Sequence, residues 1–205
     1  MAIPLWIRRV GARIEAATNG YLCQIGWVET RARFRAVSVE NKPIPWFTYP
    51  AVRFFQDRVK PEWRVLEFGA GMGTLWWSES VEQIVSLEHD AGWFEHISGT
   101  CTANLIKTTA ESADGYIHPA LSFGHFDLVV VDGLFRAECL RIAPRLLADR
   151  GVVVLDDAQR CEYKDSVRFL LDMEFRVLEF HGPQPVNKHP GCTAIFYRNQ
   201  NVLDI

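Results

Sequence analysis

The chain lacks long apolar runs and any large excess of one charge. None of its apolar stretches approaches the roughly 18 residues that a membrane span requires, so no spanning helix is expected. Lys and Arg total 22 and Asp and Glu total 25, a net charge of −3 in 205 residues. No overall field therefore draws the protein to nucleic acid or to an anionic membrane, and we expect neither as a partner.

Cysteine is sparse, and no two cysteines form a C-x-x-C pair. An odd, scattered set indicates reduced thiols in a cytoplasmic protein, packed mostly as small hydrophobes. These cysteines are Cys23, Cys101, Cys139, Cys161 and Cys192.

The bulk composition is that of one ordinary globular domain, with 48% hydrophobic and 23% charged residues. Residues 1–62 show no strand pattern and include Pro43, Pro45, Pro50 and Pro61, which predicts a helical cap with a helix over 50–59. We expect the first helix to pack on the body of the protein or on a partner subunit. An amphipathic helix lying on a membrane is the alternative.

Residues 63–205 alternate short β-branched runs with helical stretches, which is typical of βαβ units and a parallel sheet. The uninterrupted valine runs at 129–131 and 152–154 indicate central strands that are covered on both faces. The predicted strands are Arg64–Phe68, Gln83–Glu88, Leu105–Thr108, Phe126–Asp132, Gly151–Asp156, Phe175–Phe180 and Thr193–Arg198. The predicted helices between them are Thr74–Ser80, Gly92–Thr102, Arg136–Ala148 and Lys164–Leu171.

The most informative segment joins the first two strands. The first strand carries Glu67 and is followed by glycines at alternate positions, Gly69, Gly71 and Gly73, and the second strand ends in Glu88. Glycines let the backbone approach a ligand, and a carboxylate after the second strand accepts hydrogen bonds from ribose hydroxyls. Dinucleotide sites use G-x-G-x-x-G instead. The segment therefore predicts an adenosine-containing ligand other than a dinucleotide.

The spacing E-x-G-x-G-x-G resembles motif I of the class I methyltransferases, which bind S-adenosylmethionine (SAM). The resemblance implies a Rossmann-like, doubly wound α/β sheet of seven strands, mostly parallel with one antiparallel strand and with helices on both faces. It places Glu67 near the methionine amino group and Glu88 on the ribose. The residues that we expect to bind SAM are Glu67, Gly69, Ala70, Gly71, Gly73, Glu88, His89 and Asp132.

Acids also follow two later strands, at the sheet edge where ligands of open α/β folds bind. They are Asp132 and the pair Asp156 and Asp157. Three carboxylates with room for water suit Mg²⁺, which prefers oxygen ligands. The V-D-G and D-D patterns resemble metal-dependent O-methyltransferases that act on sugar hydroxyls of macrolide antibiotics. The alternative is structural: Asp156 and Asp157 cap the next helix, and Asp132 braces the turn at Gly133.

These patterns together favour methyl transfer to a hydroxyl of a small molecule, sugar-containing metabolites included. The sulfonium of SAM is already electrophilic, so catalysis needs in-line positioning and an oxygen nucleophile, whose pKa a divalent metal would lower. Asp132, Asp156 or His89 is the expected proton acceptor, with His181 as a further choice if the fold brings it close. A homodimer is compatible with the sequence.

Four features have two interpretations each. Trp46, Phe47 and Tyr49 form either a lid or ordinary packing. At least one of Trp76 and Trp77 belongs to the core, with the other at a ligand or subunit surface. The segment 181–191 is either an acceptor-binding flap or a solvated loop. Arg136 serves either an anionic substrate or the structure.

Three other functions compete with methyl transfer. An aminopropyltransferase-like enzyme would use the same fold, but its glycine turn G-G-G-D-G has an aspartate that residues 69–73 lack. An NAD-dependent oxidoreductase is disfavoured by the glycine spacing and by the absence of a Tyr-x-x-x-Lys pair. A SAM-binding scaffold protein would bind the cofactor without catalysis. Nucleic-acid amino-methyltransferases are disfavoured, because Asp132-Gly133-Leu134-Phe135 stands where they carry N/D-P-P-Y/F.

Overall fold

A seven-stranded sheet forms the centre of the protein. The computed structural model describes residues 4–101 and 103–205. The strands are β1 (Arg64–Phe68), β2 (Gln83–Glu88), β3 (Asn104–Lys107), β4 (Phe126–Val131), β5 (Leu147–Leu155), β6 (Arg176–Gly182) and β7 (Gly191–Tyr197). They lie in the order β3-β2-β1-β4-β5-β7-β6, and β7 runs antiparallel to both of its neighbours, β5 and β6, while the other pairs are parallel. The predicted doubly wound sheet with one antiparallel strand is confirmed.

Helices follow most of the strands and supply the N-terminal segment. They are α1 (Leu5–Asn19), α2 (Tyr21–Gln24), α3 (Trp27–Arg33), α4 (Tyr49–Gln56), α5 (Met72–Ser80), α6 (Ala91–Ser98), α7 (Ala113–Ile117), α8 (Arg136–Leu146) and α9 (Lys164–Asp172). The helix predicted over Gly92–Thr102 thus ends at Ser98, and Thr102 lies outside the described residues.

Both faces of the sheet are buried, which explains the uninterrupted valine runs. Val130 and Val152 pack in one core with α4 and α5, whereas Val129 and Val153 pack in a second core with α8 and α9. Alternate residues of a strand point to opposite faces, so a strand covered on both sides must be apolar throughout.

The strand ends differ from prediction mainly around β5 and β6. Strand β5 begins at Leu147, which pairs with Phe126 across a register irregularity, and not at Gly151. Strand β6 extends to Gly182, because His181 and Gly182 pair with the first residues of β7. The connection between these two strands is therefore shorter than the sequence suggests.

Helix α1 is not packed on the body of the protein. The residues of α1 whose burial is described are all exposed, including Trp6 at 67% and Ile14 at 58% exposure. Of the two expected arrangements, packing on the body is not observed, and packing on a partner subunit stays a prediction, because an apolar stripe on a helix predicts that something covers the stripe but does not say what. Among the described residues, no helix combines the length and apolar character that crossing a membrane requires.

Helix α3 holds the β6–β7 connection in place. Val186 donates its backbone N–H to Thr30 Oγ1 over 2.9 Å, and its carbonyl accepts from Arg31 Nη1 over 2.7 Å. Trp27 Nε1 donates to the Asn187 carbonyl over 2.8 Å. Val186 is buried and has a φ of +64°, a conformation that a β-branched residue adopts only at a cost of roughly 1–3 kcal/mol. Such strain persists because contacts on both sides of the residue impose it.

The hydrogen bonds of Thr30 and Arg31 to the backbone of Val186 form a clamp on this residue. This clamp predicts the effect of removing the Thr30 hydroxyl. Thr30→Val keeps the side-chain shape but leaves the buried N–H of Val186 without an acceptor, so we expect the free energy of unfolding to fall by about 1–3 kcal/mol. Thr30→Ser keeps the acceptor and is the control. Urea denaturation of the three proteins measures the difference, and equal losses in both variants would contradict the clamp.

Candidate functional site

A cavity of about 710 Å³ lies at the carboxyl ends of β1, β2, β4 and β5. This is the edge at which open α/β sheets bind ligands. The residues predicted to bind SAM or metal line it, whereas His181, the further choice of proton acceptor, does not. The predicted residues that line it are Glu67, Gly69, Ala70, Gly71, Gly73, Glu88, His89, Asp132, Asp156 and Asp157.

A side chain would have a different effect at each of the three glycines of the turn. Gly69 has a φ of +96°, and a Cβ there would lie 2.5 Å from the Gly133 Cα. A Cβ on Gly73 would lie 2.7 Å from Glu67 Oε1. By contrast, Gly71 is extended, and its nearest neighbour would be Trp93 Nε1 at 3.8 Å. The backbone contact and positive φ require a glycine at position 69, a side chain at position 73 would displace the Glu67 carboxylate, and Gly71 leaves space in the cavity.

Glu67 is a buried carboxylate beside this turn, with 2% of its surface exposed. Its Oε2 accepts hydrogen bonds from Thr74 Oγ1 and from Ser86 Oγ, the latter at 2.8 Å. Burial raises the pKa of Glu67 to about 8, against the lowering effect of these two hydroxyls. An ammonium group beside Oε1 would favour the ionised form. The site is thus matched to a cationic ligand group.

Glu88 ties the glycine turn to the end of β2. One oxygen accepts from the Ala70 N–H at 3.0 Å, and the other accepts from the N–H groups of His89 and Asp90, each at 2.8 Å. A carboxylate offers about four acceptor positions, so room remains for one hydroxyl donor. The His89 ring is 30% exposed, and its Nδ1 lies 3.0 Å from Glu88 Oε1.

Arg136 fastens the end of β4 to the end of β5. Its guanidinium donates to the carbonyls of Asp132 at 2.8 Å, Asp156 at 2.7 Å and Gly133 at 3.1 Å. It also pairs with the Asp132 carboxylate at 2.9 Å. These contacts occupy most of the guanidinium donors, which favours the structural interpretation of this arginine.

Asp156 is buried and held by neutral donors. Thr193 Oγ1 donates to it at 2.8 Å, and Gln184 Nε2 lies 3.2 and 3.3 Å from its two oxygens. Burial raises its pKa well above the usual range, with the charges of Asp132 and Asp157 acting in the same direction. Burial likewise raises the pKa of Asp132 to about 6, although Arg136 opposes this. Both groups are therefore better proton acceptors than an exposed aspartate.

Asp157 has its own arginine. Arg160 forms a close ion pair with it, Arg136 Nη1 lies 3.6 Å away, and Gln159 Nε2 donates at 3.2 Å. Its φ of +57° turns the chain sharply at the end of β5. The arginine is half-exposed and lines the cavity.

The three aspartates are not among the ligand groups that converge in the described part of the chain. Arginines and neutral donors already occupy Asp132, Asp156 and Asp157, as described above. In the described ranges, the group of His, Cys, Asp and Glu ligand atoms that converge within 4.8 Å comprises other residues: Glu179, His181 and Cys192. The magnesium prediction thus receives no support from the geometry.

Several cavity residues were not predicted as site residues. Trp93 donates its indole N–H to the Ala70 carbonyl and covers the glycine turn. Arg160 and Asn187 line the acid side of the cavity, and the buried Gln184 contacts Asp156. The length of the 181–191 segment was a signal for the last two, whereas Trp93 and Arg160 stand in no motif.

The aromatic residues before β1 divide between the two interpretations given above. Phe47 and Tyr49 are buried, whereas Trp46 is 38% exposed and lines the cavity. Trp77 is fully buried and packs edge-on against Phe55. One residue of the cap therefore reaches the site while its neighbours anchor it.

The likeness to known proteins lies in the fold. No protein-family model matches the chain, and no curated protein is similar to it in sequence. A methyltransferase from Pyrococcus furiosus superposes with a TM-score of 0.56 at 14% identity, covering 87% of this chain and 99% of that one. Precorrin-6y C5,15-methyltransferase from Geobacter metallireducens GS-15 has a TM-score of 0.55 at 18% identity, with 73% and 87% covered. Spermidine synthase from Thermotoga maritima has 0.53 at 15% identity, with 71% and 56% covered. The chain shares the Rossmann-like fold of these transferases.

The same substitution, glycine to alanine, should affect ligand binding at position 71 and stability at position 69. Gly71→Ala has room for its methyl group but narrows the cavity, so we expect the melting temperature to stay within about 2 °C and the affinity for SAM to fall about tenfold or more. Gly69→Ala meets backbone at 2.5 Å and is strained by its positive φ, so we expect the free energy of unfolding to fall by more than about 2 kcal/mol. Thermal melts and calorimetric titration with SAM measure both. A strongly destabilised Gly71→Ala would contradict this assignment.

Replacing Glu67 by glutamine should stabilise the folded protein at high pH and weaken the binding of SAM. Its folded pKa of about 8 lies above the ordinary 4.5, so its contribution to stability is complete below pH 4.5 and is lost as pH rises to 8. Glu67→Gln removes this loss. We expect the variant to be more stable than the wild type above pH 8, by an amount on the order of a few kcal/mol, and to bind SAM more weakly. Denaturation at pH 5 and pH 9 checks the sign, and a variant that is less stable at pH 9 would contradict it.

Proposed function

We propose that this chain transfers the methyl group of SAM to a hydroxyl of a small polar molecule, with sugar-containing metabolites as the leading class. One observation carries the proposal. A single cavity joins a glycine turn flanked by Glu67 and Glu88 to a polar chamber that contains two carboxylates with raised pKa values, the buried Asp156 and the partly buried Asp132. The transferase fold of the solved relatives supports the reaction class.

The first half of the cavity suits SAM. Glu67 faces the position of a cationic group beside Gly73, where the methionine ammonium would lie. Glu88 retains room for a ribose hydroxyl, and Trp93 borders the same side of the cavity. Gly71 leaves the space through which the sulfonium would extend toward the acids.

The second half suits a molecule with several hydroxyls. It presents carboxylate, guanidinium and amide groups from Asp156, Arg160 and Asn187, with the Trp46 ring at the cavity wall. Alternating donors and acceptors beside one aromatic face favour a sugar or polyol over an apolar acceptor.

The chemistry then needs one base. The acceptor oxygen attacks the methyl carbon as the carbon–sulfur bond breaks, and the sulfur takes the bonding pair to become a neutral thioether. The proton of the resulting oxonium passes to a carboxylate, for which Asp156 is the first choice and Asp132 the second. His89, half-exposed beside Glu88, is a further choice. No step is assigned to magnesium.

The role proposed for Asp156 predicts that replacing it lowers the rate of methyl transfer without weakening the binding of SAM. We expect Asp156→Asn to keep SAM affinity within about threefold and to lower the methyl-transfer rate by roughly 100-fold or more. Because burial raises the pKa of Asp156, the wild-type rate should increase with pH as this group ionises. Formation of the thioether product, measured against a panel of sugars and polyols, checks both. Asp165→Asn, an exposed residue of α9, is the matched control.

Three outcomes would contradict the proposal. Absence of saturable SAM binding removes the cofactor assignment. Tighter binding of decarboxylated SAM than of SAM would favour aminopropyl transfer. An Asp156→Asn variant as active as the Asp165→Asn control would show that Asp156 is not the base.

A further inference from the structure

A second cluster of metal-ligating side chains lies on the outer strand pair, β6 and β7. Glu179 and His181 are two residues apart on β6, so they share a face, and His181 pairs directly with Cys192 of β7. Directly paired residues of antiparallel strands have Cβ atoms about 4.5–5.5 Å apart. Backbone register alone therefore brings a carboxylate, an imidazole and a thiol together. These three residues do not line the cavity described above.

The distances match those of a tetrahedral metal site. His181 Nε2 lies 3.1 Å from Glu179 Oε2 and 3.8 Å from Cys192 Sγ. All three ligand atoms lie within 4.8 Å of one another. Bonds of about 2.0–2.3 Å from Zn²⁺ to oxygen, nitrogen and sulfur place tetrahedral ligands about 3.4–3.6 Å apart. Small side-chain rotations are enough to reach that geometry.

The surrounding residues hold Cys192 in place, whereas the side of the cluster formed by Glu179 and His181 is open to solvent. Cys192 is 1% exposed, and its backbone is held by the Gln159 side chain at 2.8 Å and by the Ala158 N–H at 2.8 Å. The side chains of Glu179 and His181 are 53% and 64% exposed. A metal bound to a rigid thiolate and two adjustable surface ligands would keep its fourth position for water.

We propose that Glu179, His181 and Cys192 form a binding site for a divalent transition metal of the zinc type. The donor set selects the ion, because thiolate and imidazole suit Zn²⁺ and Co²⁺, whereas Mg²⁺ and Ca²⁺ prefer oxygen ligands. Binding would form a bridge between β6 and β7. The site stands independently of the proposed methyl transfer.

The test is titration of the metal-stripped, full-length protein with Zn²⁺ and with Co²⁺. We expect one high-affinity Zn²⁺ per chain and, with Co²⁺, a thiolate-to-metal charge-transfer absorption. Cys192→Ser should abolish that absorption, and His181→Gln should weaken binding at least about tenfold. Cys161→Ser and His189→Gln replace an exposed cysteine and an exposed histidine outside the cluster and should leave binding unchanged.

A third variant keeps the test independent of folding. Glu179 is exposed, so Glu179→Ala should leave the melting temperature of the stripped protein unchanged, weaken Zn²⁺ binding and retain the Co²⁺–thiolate absorption. Three results would overturn the proposal: no saturable binding to the wild type, binding that survives in both Cys192→Ser and His181→Gln, or loss of the Co²⁺–thiolate absorption in Cys161→Ser alone.

Discussion

The burial of the Asp156 carboxylate is the constraint on which the site depends. A charged or hydrogen-bonding group that is 3% exposed must find donors inside the protein, because desolvation without partners costs several kcal/mol. Thr193 on β7 supplies one donor and at the same time accepts the backbone N–H of Thr48 at 2.9 Å. Gln184 supplies the other and draws the β6–β7 connection over the sheet edge. One buried acid thus joins the antiparallel strand, the connecting segment and the N-terminal cap.

The distribution of cations then divides the acids by chemistry. Arg136 and Arg160 neutralise Asp132 and Asp157 directly, whereas Asp156 has mainly neutral donors at its oxygens. A cation beside a carboxylate lowers its proton affinity, whereas burial among neutral donors raises it. Arg136 therefore opposes the raised pKa of Asp132, while burial raises the pKa of Asp156 well above the usual range, which makes Asp156 the first choice of proton acceptor in the proposed reaction.

Local patterns predicted the fold well, because strands and turns depend largely on neighbouring residues. Strands β1 and β2 begin and end where the short apolar runs predict, and the predicted glycine turn follows β1 directly. The start of β5 at Leu147 was missed because its pairing with Phe126 comes from another strand, and Asp149 and Arg150 resemble a turn. The exposure of α1 was missed since periodicity shows which face is apolar but not what lies against it.

The same distinction explains how the cavity is built. Residues 67–93 supply almost all of the cavity wall around the glycine turn, so one βαβ unit is enough to specify that part. The rest of the wall includes Trp46 from the cap, Arg160 after β5 and Asn187 after β6, and these meet only when the sheet is complete. The position of Asn187 in turn depends on Trp27 and on the clamp at Val186. Changes in α3 can therefore move Asn187 in the cavity wall while the glycine turn stays intact, so under the proposed function we expect the N-terminal segment to influence acceptor choice.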